Sequence, residues 1–358
     1  MYVSAVGALI GIDLSALDDD DAAAVRAAWT DAVADLRSEP AAVVAPVPGD
    51  RARMLMSLSQ QVTLAAIGAR RRDVWMLHAA GIATDHGDTV VFVGPSGRGK
   101  TTLSRALGAH YGYVSDETIG IERDGRVLAY RKPLSIIEDP AAPKAERSPS
   151  SVGLRDLPRA ELRVRAIVLL DRDPAHDGPP VVETLDLGDA IEDLVAQTSF
   201  MVDRPDPLRF MAAVAAATGG IRSVTYREAV DLPAIVPDLV AGEFVKPFVE
   251  PRPVWPENAT ATASGPRFSR AAVIDEVVLP DPERVALLTT DDQGAGTVHV
   301  LAGVGPAVWA AADRATLGDL TAAVVAAHGE PPKGDAETAV AAVVDELVQQ
   351  GLLRRVEG

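Results

Sequence analysis

Short apolar runs separated by polar, Gly- and Pro-containing turns organise the first two thirds of the chain. Thr89-Val90-Val91-Phe92-Val93 is bounded by Asp85-His86-Gly87-Asp88 on one side and Gly94-Pro95 on the other, which predicts a buried strand. Thr102-Leu103-Ser104-Arg105-Ala106-Leu107 then opens a helix, and strands are expected from Trp75, at 112–115, at 167–171 and at 223–226. Before these, residues 1–70 predict a strand over 3–12, an acid-started helix over 20–36, a strand over 42–47 and a helix over 54–69. The acids Asp18 to Asp21 read as charge at a helix start rather than a cation site.

A second pattern begins after a Pro/Ser/Thr-rich stretch. Residues 276–279, 285–288 and 297–301 predict three short strands, and three helices follow. The first covers 306–312 around Trp309, and the second starts at a capping box, Thr316 to Asp319. In the third, over 339–352, Ala339, Val340, Val343, Val344, Leu347, Val348 and Leu352 recur at helical spacing. The chain thus divides into an N-terminal α/β region (1–70), an α/β core (71–245), a linker (246–267) and a C-terminal domain (268–358).

Composition narrows the function classes. A 47% hydrophobic and 24% charged chain is an ordinary globular one. With no Cys, disulfides, thiolate metal sites and Cys nucleophiles are excluded. A surplus of 51 acids over 34 bases, net −17, opposes nucleic-acid binding. There is no 18-residue apolar run and no basic segment ahead of Val6–Ile12, so neither a membrane span nor a signal peptide is expected and the cytoplasm is the expected location.

The chemistry concentrates in Gly94-Pro95-Ser96-Gly97-Arg98-Gly99-Lys100-Thr101, followed by Thr102. It fits the phosphate-loop pattern GxxxxGK[ST], between a strand and a helix as that pattern requires. Backbone N–H groups of such a loop curl round phosphates at a helix N-terminus. Lys100, expected as an exposed point charge, reaches the β- and γ-phosphates of ATP, and the Thr101 hydroxyl serves Mg²⁺. About fifteen residues after Lys100, a strand ends in Asp116-Glu117. Asp116 is the candidate base for an attacking hydroxyl, and Thr101, Asp116 and Glu117 are the candidate Mg²⁺ ligands. Ile167 to Asp171 looks like a Walker B strand, with Asp171 a strand end first and a metal helper second.

The order of His78 on a strand, phosphate loop, short helix and acidic strand end resembles HPr kinase/phosphorylase, a family with a phosphoenolpyruvate-carboxykinase-like fold. Arg131-Lys132-Pro133-Leu134-Ser135-Ile136 resembles the segment that follows in that family. The resemblance implies a kinase in which His78 sits near the γ-phosphate, and Asp116 is again the base. Arg131 and Lys132 could neutralise developing phosphoryl charge or be surface cations. The chain departs from the family in having Glu117 in place of a second Asp, and in lacking the later Glu- and Arg-bearing signature.

Residues 268–358 resemble the PqqD-like winged helix, which implies recognition of the leader of a ribosomally made precursor peptide. Their 14 acids against 6 bases argue against DNA, and the strand over 297–301 with the helix over 339–352 are the expected walls of a peptide groove. The expected activity is transfer of the γ-phosphoryl group of ATP to a Ser or Thr hydroxyl of such a peptide. A regulatory kinase/phosphorylase acting on a carrier protein and a non-catalytic nucleotide-binding adaptor are the alternatives. The resemblance also leaves room for a homo-oligomer.

Overall fold

The computed structural model describes residues 1–95, 100–137, 144–256, 265–279, 283–291 and 294–356. Its contacts separate into two units, one of Met1–Arg204 with Ala213–Phe248, the other of Pro205–Ala212 with Val249–Gly358.

The chain opens with a hairpin where one strand was expected over 3–12. Tyr2–Ala5 and Ala8–Ile12 pair antiparallel, and Ala42–Val44 joins in parallel. The apolar run hid the turn because Val6 makes it, at φ 49°, with Gly7 at φ 74°. Primed hairpin turns need positive φ at both central residues, and a β-branched side chain is a rare occupant. Val6 is fully buried, so its packing offsets that strain. The helix Asp19–Ala28 is shorter than expected, and Asp18 caps it by accepting from the Asp21 N–H at 2.8 Å. Arg51–Arg70 is likewise capped by Asp50. Their apolar faces share one core with Met76 and Tyr130, so residues 1–70 have no core of their own.

Nine strands of the described residues form a mixed sheet in the same unit. Asp88–Val93, Arg163–Arg172 and Ile221–Tyr226 run parallel at its centre, with Val181–Leu185 antiparallel at the edge. On the other side Trp75–Ala83 pairs antiparallel with Asp88–Val93 and, along its length, with Gly112–Ser115 and Thr118–Ile121. The helix Lys100–Gly108 lays Leu103 and Leu107 on Ala80, Ile82, Val90 and Phe92. Its position is set by this apolar stripe.

In the second unit Asp275–Leu279, Arg284–Thr290 and Gly296–Leu301 form an antiparallel sheet with Gly296–Leu301 at its edge. The helices are Gly305–Ala311, Leu317–His328 and Ala336–Gln349, around a fully buried Trp309. The Thr316–Asp319 capping box is present. A further sheet joins Arg267–Arg270 to Leu353–Val356 and Ala315–Thr316, at the edge of the stretch expected as linker. That stretch is not free throughout. Arg252 Nε and Trp255 Nε1 each donate to the buried Glu276 carboxylate at 2.8 Å, and Trp309 Nε1 donates to it at 3.1 Å. Residues 257–264 of the expected linker lie outside the described residues.

Candidate functional site

The long strand Trp75–Ala83 is buried at every position but His78, which is half-buried. Two strands pair with it in succession, Ser115 opposite Gly81 and Thr118 opposite His78. Asp116 and Glu117 are the joint between these two pairings. The joint is held by Ser115 Oγ, which accepts from the N–H groups of Glu117 and Thr118 at 3.2 Å, and by the Ala79 N–H on Glu117 O at 3.0 Å. Backbone pairing on both sides therefore places the two acids beside the first residues of the helix Lys100–Gly108.

His78, Lys100, Thr101, Thr102, Asp116 and Glu117 line one cavity of about 570 Å³. Gly94 and Pro95 end the preceding strand; Ser96, Gly97, Arg98 and Gly99 lie outside the described residues. Thr101 Oγ1 donates to Asp116 Oδ2 at 3.1 Å, and the buried Tyr113 hydroxyl donates to Asp116 Oδ1 at 3.0 Å. Both oxygens of Asp116 are thus oriented before any ligand arrives. Burial, with the Asp116 charge beside it, pushes the Tyr113 hydroxyl well above its ordinary value, so it stays a donor.

Lys100 is not the exposed charge expected from the sequence. It is 7% exposed, and its ammonium donates to the carbonyls of Gly94 at 2.6 Å and Pro95 at 3.1 Å. Burial lowers its proton affinity. Burial and the Lys100 charge also hold His78 below its ordinary value, which keeps the imidazole neutral at pH 7.

Of the Arg131–Lys132 pair, Lys132 lines the cavity and Arg131 does not. Lys132 Nζ lies 3.0 Å from Glu117 Oε2 and 3.9 Å from Asp116 Oδ1. Burial opposes its charge, but the two carboxylates hold its proton affinity above the ordinary value. Arg131 is buried beside Asp156, 3.1 Å away, and faces neither acid. Both residues are buried, so the alternative of surface cations does not hold, while of the two only Lys132 stands where the expected charge-neutralising role needs it and Arg131 does not. One strand, one buried turn and two adjacent cations of opposite destination cannot be told apart by composition.

Sequence reasoning also missed the far wall. Ser135, Ile136, Ile137 and Lys144, from the hairpin of Leu134–Ile136 with Ala145–Arg147, close the cavity with Arg105 from the helix. Behind Ser135 stands Glu146, a buried carboxylate that accepts from the Ser135 and Ser59 hydroxyls. Burial raises its pKa.

The donor set suits Mg²⁺. Among the described residues no group of three or more His, Cys, Asp and Glu gathers to make a closed cage. One hydroxyl and two carboxylates are hard oxygen donors of the number Mg²⁺ takes when phosphate oxygens and waters complete its shell.

Residues 276–353 match the family model Coenzyme PQQ synthesis protein D (PqqD). The C-terminal domain is PqqD-like. Among solved structures, the chain is similar to the HPr(Ser) kinase/phosphatase from Coxiella burnetii at 15% identity and a TM-score of 0.27, over 46% of this chain and 93% of that one. No curated protein matches the sequence. The architecture is mixed α/β, and among the described residues no helix is long and apolar enough to cross a membrane.

Proposed function

We propose that the protein is an ATP-dependent kinase that phosphorylates a hydroxyl of a peptide held by its PqqD-like domain. The charge of the cavity carries this reading. In a chain of net charge −17, Lys100, Arg105, Lys132 and Lys144 converge on one cavity against only Asp116 and Glu117. A surplus of cations at a helix N-terminus, behind a phosphate-loop sequence, is suited to a polyphosphate.

In the proposed step the acceptor oxygen bonds to the γ-phosphorus as the bond from that phosphorus to the β–γ bridging oxygen breaks. ADP leaves with the bridging oxygen, and the hydroxyl proton passes to Asp116. Lys100 and Lys132 face the charge that develops on the phosphoryl oxygens. Thr101 and Glu117 would hold Mg²⁺, which when bound neutralises phosphate charge, and leave Asp116 for the proton. Neutral His78 adds no cation there and can donate or accept one hydrogen bond at the γ end.

The PqqD match supports a precursor-peptide leader as the partner. Among the described residues the outer side of the edge strand Gly296–Leu301 carries no partner strand, which suits strand addition. Leader capture then raises the local concentration of the acceptor segment.

Transfer of label from γ-labelled ATP to peptide tests the reading and separates a kinase from an adaptor. Asp116→Asn should keep ATP-Mg²⁺ affinity while kcat falls about 10²-fold or more, the usual worth of a positioned base. Equal losses of binding and turnover would reassign Asp116 to the metal alone.

A further inference from the structure

A second cavity of the catalytic unit, about 290 Å³, opens at the carboxyl ends of the parallel strands Asp88–Val93 and Arg163–Arg172. Such ends are where open α/β sheets take their ligands. Val93, Leu169 and Leu185 give it apolar walls, and Asp171, Asp193 and Gln197 give it polar ones. Among the described residues, no Lys, Arg or His lines it. Asp193 and Gln197 are four residues apart at the end of the helix Leu187–Ala196 and so share a face. Asp171 stands on the facing strand end, where it accepts from Thr225 Oγ1 at 3.3 Å.

This cavity borders the first one on two sides. Gly94 and Pro95 line it, and their carbonyls accept from the Lys100 ammonium of the first cavity. The His78 N–H donates to Gln197 O at 2.7 Å, so the residue carrying His78 into the first cavity is tied to one lining the second. The carboxylates of Asp171 and Asp193 oppose a phosphate and favour a cationic group, in contrast to the Lys- and Arg-lined first cavity.

We propose that this cavity receives a Lys or Arg side chain of the acceptor peptide, adjacent to the residue whose hydroxyl is phosphorylated. The proposal rests on the kinase reading. An aliphatic stem lies on Val93, Leu169 and Leu185 while its charged end meets Asp171 and Asp193, the division of apolar body and charged head that Lys and Arg carry. The net charge of −17 draws a basic peptide toward the protein in the same sense.

The test uses the full-length protein and synthetic Ser peptides of equal length, flanked on both sides by Arg, by norleucine or by Glu. The Arg peptide should exceed the Glu peptide about tenfold in kcat/KM, the scale of two partly exposed charge pairs. In Asp193→Lys, an exchange on an exposed helix face, the Arg-to-Glu ratio should fall to about one, because the new cation offsets Asp171, with a melting curve to confirm the fold. Equal kcat/KM for the Arg and Glu peptides with the parent protein, or an unchanged ratio in Asp193→Lys, overturns the proposal. Failure of the kinase reading shows itself differently, as no label transfer to any peptide, and overturns both.

Discussion

At the residue scale, buried charge decides the behaviour of the site. Lys100 is held by the carbonyls of Gly94 and Pro95, and among the described residues no carboxylate pairs with it. Lys100→Ala should therefore weaken ATP-Mg²⁺ binding and lower kcat by about 10²-fold or more, as for loss of one preorganised donor. Because losing the ammonium also removes a desolvated charge, unfolding stability should change by only about 1 kcal/mol. Calorimetric titration and a thermal melt read the two effects separately; unchanged ATP affinity would sink the phosphate-cradle reading.

Glu146 behaves in the opposite sense. Its folded pKa is raised above the ordinary 4.5, so between those values the folded state binds more protons than the unfolded one. Stability then falls as pH rises from about 4.5 through the folded pKa, with the sign set by linkage. Glu146→Gln, which keeps a neutral acceptor for Ser59 and Ser135, should flatten that slope in denaturant titrations across pH 4 to 8. A slope identical to that of the parent protein would remove Glu146 as its source.

At the element scale, side chains packed tightly on a glycine support the strand next to the site. Gly120 lies on the strand Thr118–Ile121, just past the acidic joint. A Cβ there would come within 2.5 Å of Val6 Cγ1 and 2.8 Å of Val74 Cγ1. The amino-terminal hairpin thus packs directly on the strand that holds Asp116 and Glu117 in place. Gly120→Ala should destabilise the protein by about 1–3 kcal/mol through overpacking, measured by chemical denaturation. A cost near zero would mean that the hairpin yields without strain.

The elements also show where reading along the chain works. The strands around the phosphate loop and the three C-terminal helices were legible because periodicity and caps such as Thr316–Asp319 are local signals. The hairpin at Val6-Gly7 was not, since its turn residue is apolar and its conformation is fixed by burial under the sheet. The strand Arg267–Arg270, at the boundary drawn between linker and C-terminal domain, was not read because its partners, Leu353–Val356 and Ala315–Thr316, lie far along the chain.

At the scale of the whole molecule, the C-terminal domain does not start at a free linker. Asp275 is fully buried, and it accepts from the N–H groups of Leu208 and Arg209 at 2.9 and 3.0 Å and from Arg209 Nε at 2.8 Å. Pro205–Ala212 belongs with Val249–Gly358 in one compact unit. Deleting residues 268–358 should consequently lower the melting temperature of what remains, because it strips these donors of their acceptor, each loss worth about 1–3 kcal/mol. A truncated protein that melts with the full chain would show the segment to be indifferent to its partner.

The sequence by itself determined the residues on offer: a phosphate-loop pattern between strand and helix, two acids after a short strand, no thiol, and a PqqD-like pattern of strands and helices. Each of these is written in adjacent residues, where local geometry and residue type suffice. Only the tertiary structure decided which groups meet. It put Lys132 rather than Arg131 against Asp116 and Glu117, buried Lys100 on its own loop, and brought Ser135, Lys144 and Glu146 round from a distant hairpin. It also set Asp171 opposite Asp193 across a second cavity. Those choices follow from sheet order and strand pairing, which link residues far apart in the chain, and no local pattern records them.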